Sequence, residues 1–130
     1  MMMDIPVVLS ALGIEFSERG HEANALCPMH KVRTGKFDNS PSWWINLETG
    51  MHLCFSCGYK GNLPQLVCDV NEFYTSAWGV VDGYDYVAAR VWLSQVSSVP
   101  VEKLLDMVKA LPNRIEAIPK PLPMSEARLA

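Results

Sequence analysis

The sequence has 130 residues, of which 49% are hydrophobic and 19% are charged. These proportions predict one folded domain and exclude a wholly disordered chain, which would be more charged and less apolar. The formal net charge of −3 gives no overall attraction to nucleic acid or anionic lipid, so any nucleic-acid site must be a local patch. No apolar run is long enough to cross a bilayer, and the amino terminus lacks the basic flank of a signal peptide. We therefore expect neither a membrane-spanning nor a visibly secreted protein.

The first half of the chain predicts one short helix followed by short paired strands. Asp4 can cap the helix and Gly13 can end it. The elements expected here are, in order, a helix over 4–12, extended stretches near 14–16 and 22–26, a polar loop over 31–42, and strands over 42–47 and 51–55. The segment Glu48-Thr49-Gly50 predicts a hairpin turn between the last two strands.

The second half predicts helices, because apolar residues recur there at intervals of three and four. The three stripes are Leu63, Leu66, Val67, Val70, Tyr74 and Ala77; Tyr84, Val87, Ala88 and Val91, with Asp82 as a cap; and Val101, Leu104, Leu105, Val108 and Leu111. Four prolines in the next twelve residues predict an extended linker or tail. The expected division is 1–62 for the first helix and the strands, 63–111 for the helical extension and 112–130 for the tail. The expected fold class is α+β.

Two ligand pairs of the same form stand out: Cys27-Pro28-Met29-His30 and Cys54-Phe55-Ser56-Cys57. Two intervening residues let both side chains of a tight turn point at one ion, and such a turn is called a zinc knuckle. Two knuckles together supply four ligands in a tetrahedron and leave no open position on the metal. Thiolate and imidazole ligands favour zinc over calcium or magnesium. The sequence therefore predicts one structural zinc ion in a reducing compartment. A closed site leaves no position for an activated water, so we assign no catalytic residue to it.

Two further residues compete for this site. His52 lies two residues before Cys54 on the same face of a strand, but we expect it at the surface beside the metal. Cys68 falls off the apolar stripe of its predicted helix, and we expect a thiol with no role in metal binding. Were Cys68 a ligand in place of His30, the site would hold four cysteines and could carry an iron–sulfur cluster.

The knuckles and their flanks resemble a known family. The segments Leu26-Cys-Pro-Met-His-Lys, Pro41-Ser-Trp-Trp-Ile-Asn and Gly50-Met-His-Leu-Cys-Phe-Ser-Cys-Gly are similar to the zinc-binding domain of DnaG-type DNA primases from bacteria and bacteriophages. The resemblance extends over about residues 4–97. It implies a zinc ribbon, which is a small antiparallel sheet that carries the metal at one end and is followed by helices.

The resemblance also implies a function in DNA replication. In this family the domain contacts single-stranded template DNA and cooperates with a TOPRIM-type catalytic domain and with the replicative helicase, in the cytoplasm of a bacterium or a phage-infected host. The sequence has no Asp-x-Asp cluster of the kind that holds magnesium in that catalytic domain. We therefore expect part of a primase, or one subunit of a split primase, that makes no primer by itself.

A candidate surface for the template combines cations with aromatic residues. Cations neutralise phosphates, whereas aromatic faces stack on unpaired bases, so the combination favours single-stranded DNA over a duplex. Because Trp43 and Trp44 are neighbours on a strand, they face opposite ways, and at most one is expected in the core. The candidate nucleic-acid-binding residues are Lys31, Arg33, Lys36, Trp43, Trp44 and Lys60.

The sequence alone leaves two other functions open. The ribbon could serve an adaptor or transcription regulator that binds a protein such as RNA polymerase or a helicase. Eight acidic against six basic residues after position 65 would favour such a protein partner. An iron–sulfur redox regulator that uses Cys27, Cys54, Cys57 and Cys68 is the other alternative.

Overall fold

The computed structural model describes residues 3–100, 103 and 104, and within them four helices and seven strands. The helices are α1 (Ile5–Ala11), α2 (His30–Thr34), α3 (Leu63–Asn71) and α4 (Tyr86–Ser97). The strands are β1 (Phe16–Arg19), β2 (Glu22–Ala25), β3 (Trp43–Asn46), β4 (His52–Cys54), β5 (Lys60–Gly61), β6 (Tyr74–Ala77) and β7 (Val80–Tyr84). An antiparallel sheet followed by helices confirms the α+β class. None of the described helices is long and apolar enough to cross a membrane.

Strands β1 to β5 form one antiparallel sheet in chain order. The predicted hairpin between β3 and β4 is present, and its turn ends at Gly50 with a φ of 80°. A Cβ atom at Gly50 would lie 2.9 Å from Cβ of Leu63, so glycine is needed both for the backbone conformation and for the close approach of α3. The turn thereby fixes where the first helix after the sheet begins.

The core lies between one face of this sheet and the helices. Trp43 and Ile45 of β3 are both fully buried, whereas Trp44 between them is only half-buried, as the period-two alternation of a strand requires. Leu63 and Leu66 of α3 are buried in the same core. The cap of α3 is reciprocal: Gln65 N–H donates to the Asn62 side chain at 3.1 Å, and Asn62 N–H donates to the Gln65 side chain at 3.1 Å.

The prediction of one continuous helix from Leu63 to Ala77 is wrong. α3 ends at Asn71, Glu72 takes a positive φ of 61°, and residues from Tyr74 onward form the antiparallel β6–β7 hairpin. Tyr74 and Ala77 continue the helical spacing by coincidence, while the aromatic and β-branched residues of this stretch and the Trp-Gly turn favour strands.

Two smaller expectations also need correction. Residues 31–42 are not entirely loop, because their first residues belong to α2. Asp82 lies in β7, and the cap of α4 is Asp85, whose carboxylate accepts a hydrogen bond from Ala88 N–H at 3.1 Å. The predicted helix over 101–111 and the tail over 112–130 lie outside the described residues except for 103 and 104; Leu104 is buried in the core.

A buried carboxylate joins the zinc-ribbon half of the chain to the hairpin. Asp69 of α3 is only 3% exposed and accepts hydrogen bonds of 2.7 Å from both the Tyr59 and the Tyr74 hydroxyl. Burial raises the pKa of Asp69 to about 6, although hydrogen bonds from Tyr59, Tyr74 and Tyr84 oppose the shift. The folded chain therefore holds the Asp69 proton more tightly than the unfolded chain does.

We predict that replacing Asp69 by Asn removes a pH-dependent contribution to the free energy of unfolding. Because the folded-state pKa is raised, ionisation of Asp69 lowers the free energy of unfolding as the pH rises toward and through about 6. The stability of wild type relative to Asp69→Asn should therefore fall by about 1–2 kcal/mol between about pH 5 and pH 7.5. Chemical denaturation of both zinc-loaded proteins measures this, and effects of the shared metal site cancel in the difference. A difference that stays constant with pH would contradict the prediction.

Candidate metal centre

The first knuckle follows directly after β2. The Cys27 backbone N–H donates to the Asp38 carboxylate at 2.8 Å, which joins the knuckle to the loop that returns to the sheet. His30 opens α2, and its backbone N–H donates to the Cys27 carbonyl at 3.4 Å. α2 ends after one turn because Gly35 adopts the left-handed conformation, with a φ of 84°. These contacts hold the Cys27 and His30 side chains on the same side of a tight turn.

The second knuckle begins where β4 ends. The backbone N–H groups of Ser56 and Cys57 both lie 3.4 Å from Sγ of Cys54 and donate to it. Gly58 closes the turn with a φ of 83°, and its N–H donates to the Cys54 carbonyl at 2.9 Å. Such N–H donors orient the sulfur of Cys54 and fix the shape of the turn.

The two knuckles meet at one point. One ligand atom from each of Cys27, His30, Cys54 and Cys57 lies within 4.8 Å of the other three. The Sγ atoms of Cys27 and Cys57 are 3.7 Å apart, close to the edge of about 3.8 Å for a tetrahedron with Zn–S bonds of about 2.3 Å. Nδ1 of His30 is buried and has no hydrogen-bond partner among the described residues, as expected for an atom close to a metal. The residues fit zinc.

The electrostatics of the cluster also favour a cation. Burial raises the pKa of the Cys27 thiol, and the neighbouring Cys54 and Cys57 thiols raise it further. For Cys57, burial alone would raise the pKa. Hydrogen bonds from the Tyr59 N–H and from the Cys27, Cys54 and Arg33 side chains outweigh burial and lower it. A divalent ion removes the repulsion among crowded thiolates, so metal binding and deprotonation support each other.

Arg33, predicted from the sequence to contact DNA, makes a contact within the protein. Its side chain is half-buried, and Nη2 donates to the Cys57 carbonyl at 3.0 Å. The guanidinium of α2 therefore ties the first knuckle to the second. A contact of Arg33 with nucleic acid stays a prediction.

The expectation that His52 lies at the surface is wrong. Its side chain is 5% exposed; Nδ1 accepts a hydrogen bond from Trp43 Nε1 at 3.2 Å, and Nε2 lies 3.2 Å from the Asn62 carbonyl. Because Nδ1 accepts, the proton of the neutral ring sits on Nε2 and is donated to Asn62. Burial lowers the pKa of His52 to about 4. Both ring nitrogens are used inside the core, so His52 supports the sheet and is not a ligand.

Cys68 also differs from its expected position. It faces the core rather than lying off the apolar stripe, and it is fully buried. Its Sγ donates to the Asp85 carbonyl at 3.6 Å, and it is not part of the ligand cluster. Burial raises the pKa of this thiol, which keeps it protonated. The four-cysteine alternative is therefore excluded, and with it the iron–sulfur regulator.

The two adjacent tryptophans divide as strand geometry requires. Trp43 is fully buried, so it cannot stack on a base, and its place among the candidate DNA contacts is corrected. Trp44 faces the other way, and Leu53 and then Lys60 are its successive partners across β4 and β5. Phe55, 72% exposed, lines the same groove as Trp44 and Leu53. We call Trp44, Leu53, Phe55 and Lys60 the open sheet face.

Phe55 and Leu53 belong to this face but are not among the contacts predicted from the sequence. Period-two alternation could have found Leu53, because it lies between two residues that point toward the metal and the core. Lys31 and Lys36 are exposed, and neither lines the groove that contains Trp44. The Lys31 ammonium lies 5.0 Å from the ring centre of Phe37, and Phe37 lines a groove with Leu26 and Val70, not the one with Trp44.

The fold and the site together define a zinc ribbon. Comparison with known families takes this further: the family described as the CHC2 zinc finger, the zinc ribbon of DnaG, matches residues 2–93. The chain belongs to this family and is the zinc-binding domain of a DnaG-type primase.

One solved structure supports the fold. The crystal structure of the zinc-binding and RNA polymerase domains of the Aquifex aeolicus primase aligns with 77% of this chain, with 20% identity and a TM-score of 0.52. This chain covers 21% of the length of that primase chain. No curated protein matches the sequence.

We predict that Cys54→Ser abolishes zinc binding and loosens the sheet, because the closed site loses one of its thiolates. Structural zinc contributes on the order of 10 kcal/mol to folding in zinc-finger peptides. The matched control is Cys68→Ser, which alters a buried thiol outside the cluster and should keep one zinc per chain. Metal analysis by mass spectrometry and circular dichroism measure the two effects. Zinc retained in Cys54→Ser, or lost in Cys68→Ser, would contradict the assignment.

Proposed function

We propose that this domain binds single-stranded template DNA during primer synthesis in DNA replication, and that the open sheet face holds the bases. The observation that carries the proposal is the cross-strand row of Trp44, Leu53 and Lys60 beside the exposed Phe55. Aromatic faces and a neighbouring cation are what an unpaired base and its phosphate require. Because unpaired bases are splayed, such a face suits single strands better than a duplex.

Lys31 and Lys36 are proposed to add contacts to phosphates beyond the sheet. Both are exposed on the segment that carries the first knuckle, so their charges are available to a strand that passes the metal site. Glu22 lines the groove of the open sheet face, and the net charge is −3. These negative charges limit the affinity, so binding should be weak and sensitive to salt.

The domain is proposed to act with a catalytic primase domain or subunit, with the replicative helicase as a further partner. Among the described residues, the four zinc ligands are the one group of acidic or metal-binding side chains close enough to hold an ion. They form a closed set with no position for substrate. Cysteines that bind zinc as thiolates are typical of reducing compartments, which supports a place in the cytoplasm of a bacterium or of a phage-infected host.

We predict that the 130-residue chain binds an oligothymidine with micromolar or weaker affinity, and that the open sheet face carries this binding. Phe55→Ala should weaken binding by about 1–3 kcal/mol with little change in salt dependence, because it removes stacking and no charge. Lys60→Ala, Lys31→Ala and Lys36→Ala should each make the plot of log K against log salt shallower by up to about 0.7. Fluorescence anisotropy over a salt series measures both effects.

Lys103→Ala is the matched control for charge, because Lys103 is exposed and lies beyond α4 in the chain. It should leave the salt slope of the oligonucleotide affinity nearly unchanged. Template binding through this face is contradicted if Phe55→Ala and Lys60→Ala bind as tightly as wild type, or if Lys103→Ala weakens binding as much as Lys60→Ala does.

We predict that this chain makes no primer by itself. The reason is the absence of an Asp-x-Asp cluster from the sequence, because two-metal phosphoryl transfer needs closely spaced carboxylates. Incubation of the zinc-loaded chain with magnesium, nucleotides and template should give no primer. Primer synthesis should begin only when a primase catalytic domain is added. Primer made by the chain alone would overturn this prediction.

A further inference from the structure

The β6–β7 hairpin carries a fully exposed tryptophan at its tip. Trp78 is 100% exposed, and Val80 beside it is 52% exposed. Trp78 and Gly79 have positive φ angles of 57° and 77°, which is the pattern of a type I′ turn. The turn therefore presents an indole ring to solvent.

The conformation of Trp78 works against local stability. The first central position of a type I′ turn favours Asn, Asp or Gly, and a bulky side chain in the left-handed region is unfavourable. Full exposure means that Trp78 recovers none of this cost through burial. A large aromatic residue in a strained, exposed position is better explained by binding than by folding.

The charges around the hairpin favour a protein partner over a nucleic acid. The sequence has no lysine, arginine or histidine between 61 and 89. Glu72 and Asp82, at the two sides of the hairpin, are exposed acids. A phosphate backbone would be repelled by this surface, whereas a protein pocket with an apolar floor and a rim of lysine or arginine side chains would be complementary to it.

The hairpin is also separate from the open sheet face. Its strand β6 is anchored through the Tyr74 hydroxyl, which donates to Asp69 of α3 at 2.7 Å. α3 packs against the core side of the large sheet, so the hairpin belongs to the helical layer. A partner on the hairpin would leave the open sheet face free.

From these observations we propose that the β6–β7 hairpin is the docking element for the catalytic domain of the primase, and that Trp78 enters an apolar pocket with a basic rim on that domain. The inference rests on the proposed function, because a module that holds template must also be held by the domain that extends the primer. Docking through the hairpin allows template and catalytic domain to be bound at the same time.

The test is titration calorimetry of the zinc-loaded chain against the purified RNA polymerase domain of the primase encoded in the same genome. The deciding variant is Trp78→Asn. It removes the indole but supplies a residue that the type I′ turn favours, so its melting temperature should equal or exceed that of wild type. Its affinity for the catalytic domain should fall about thirtyfold or more, as for a central tryptophan of an interface. Wild-type binding should also weaken as salt is raised.

Phe55→Ala is the matched control, because it removes an exposed aromatic residue from the open sheet face. It should bind the catalytic domain like wild type and lose oligothymidine affinity, whereas Trp78→Asn should show the opposite pattern. The docking inference is overturned if wild type does not bind the catalytic domain, or if Trp78→Asn binds it like wild type. It is also overturned if Trp78→Asn instead loses oligothymidine affinity, or dissociates a dimer detected by sedimentation. Failure of the proposed template function would appear separately, as unchanged oligothymidine binding by Phe55→Ala and Lys60→Ala.

Discussion

Coordination of one zinc ion by two knuckles is the interaction on which the rest of the structure depends. One ligand pair follows β2 and the other begins at the end of β4, so the metal closes one end of a sheet whose strands have only two to four residues. Strands this short bury too little surface to be stable alone. The Cys27 N–H donates to Asp38 and ties the first knuckle to the returning loop, and Arg33 donates to the Cys57 carbonyl and ties the first knuckle to the second.

With one end fixed, the two faces of the sheet have different roles. One face is filled by Trp43 and Ile45, and the neutral His52 satisfies the indole N–H of Trp43 so that this side can be covered by α3. The other face stays open, with Trp44 and Lys60 aligned by the register that the zinc site and the Gly50 turn impose. The candidate binding surface is thus the face that the helices leave uncovered.

Local patterns carried most of what the sequence could predict. The two knuckles can be predicted from the sequence because each ligand pair is defined by a spacing of two residues. The β3–β4 hairpin can be predicted because its turn is defined by neighbouring residues that end in a glycine. Strand alternation predicted that Trp43 and Trp44 face opposite ways, but not which is buried, because that depends on where the helices pack. The β6–β7 hairpin was missed because Tyr74 and Ala77 continue the helical spacing of α3. The burial of His52 and Cys68 depends on partners distant in sequence, Asn62 and Asp85 among them, which no local pattern reveals.

X-ray absorption at the zinc edge tests the central claim most directly, because it reports the ligands of the bound ion without relying on stability or activity. Three sulfur atoms at about 2.3 Å and one nitrogen at about 2.0–2.1 Å are expected, with the nitrogen lost in His30→Ala and all four ligands retained in Cys68→Ser. Four sulfur ligands in the wild-type protein, or a ligand lost in Cys68→Ser, would contradict the account.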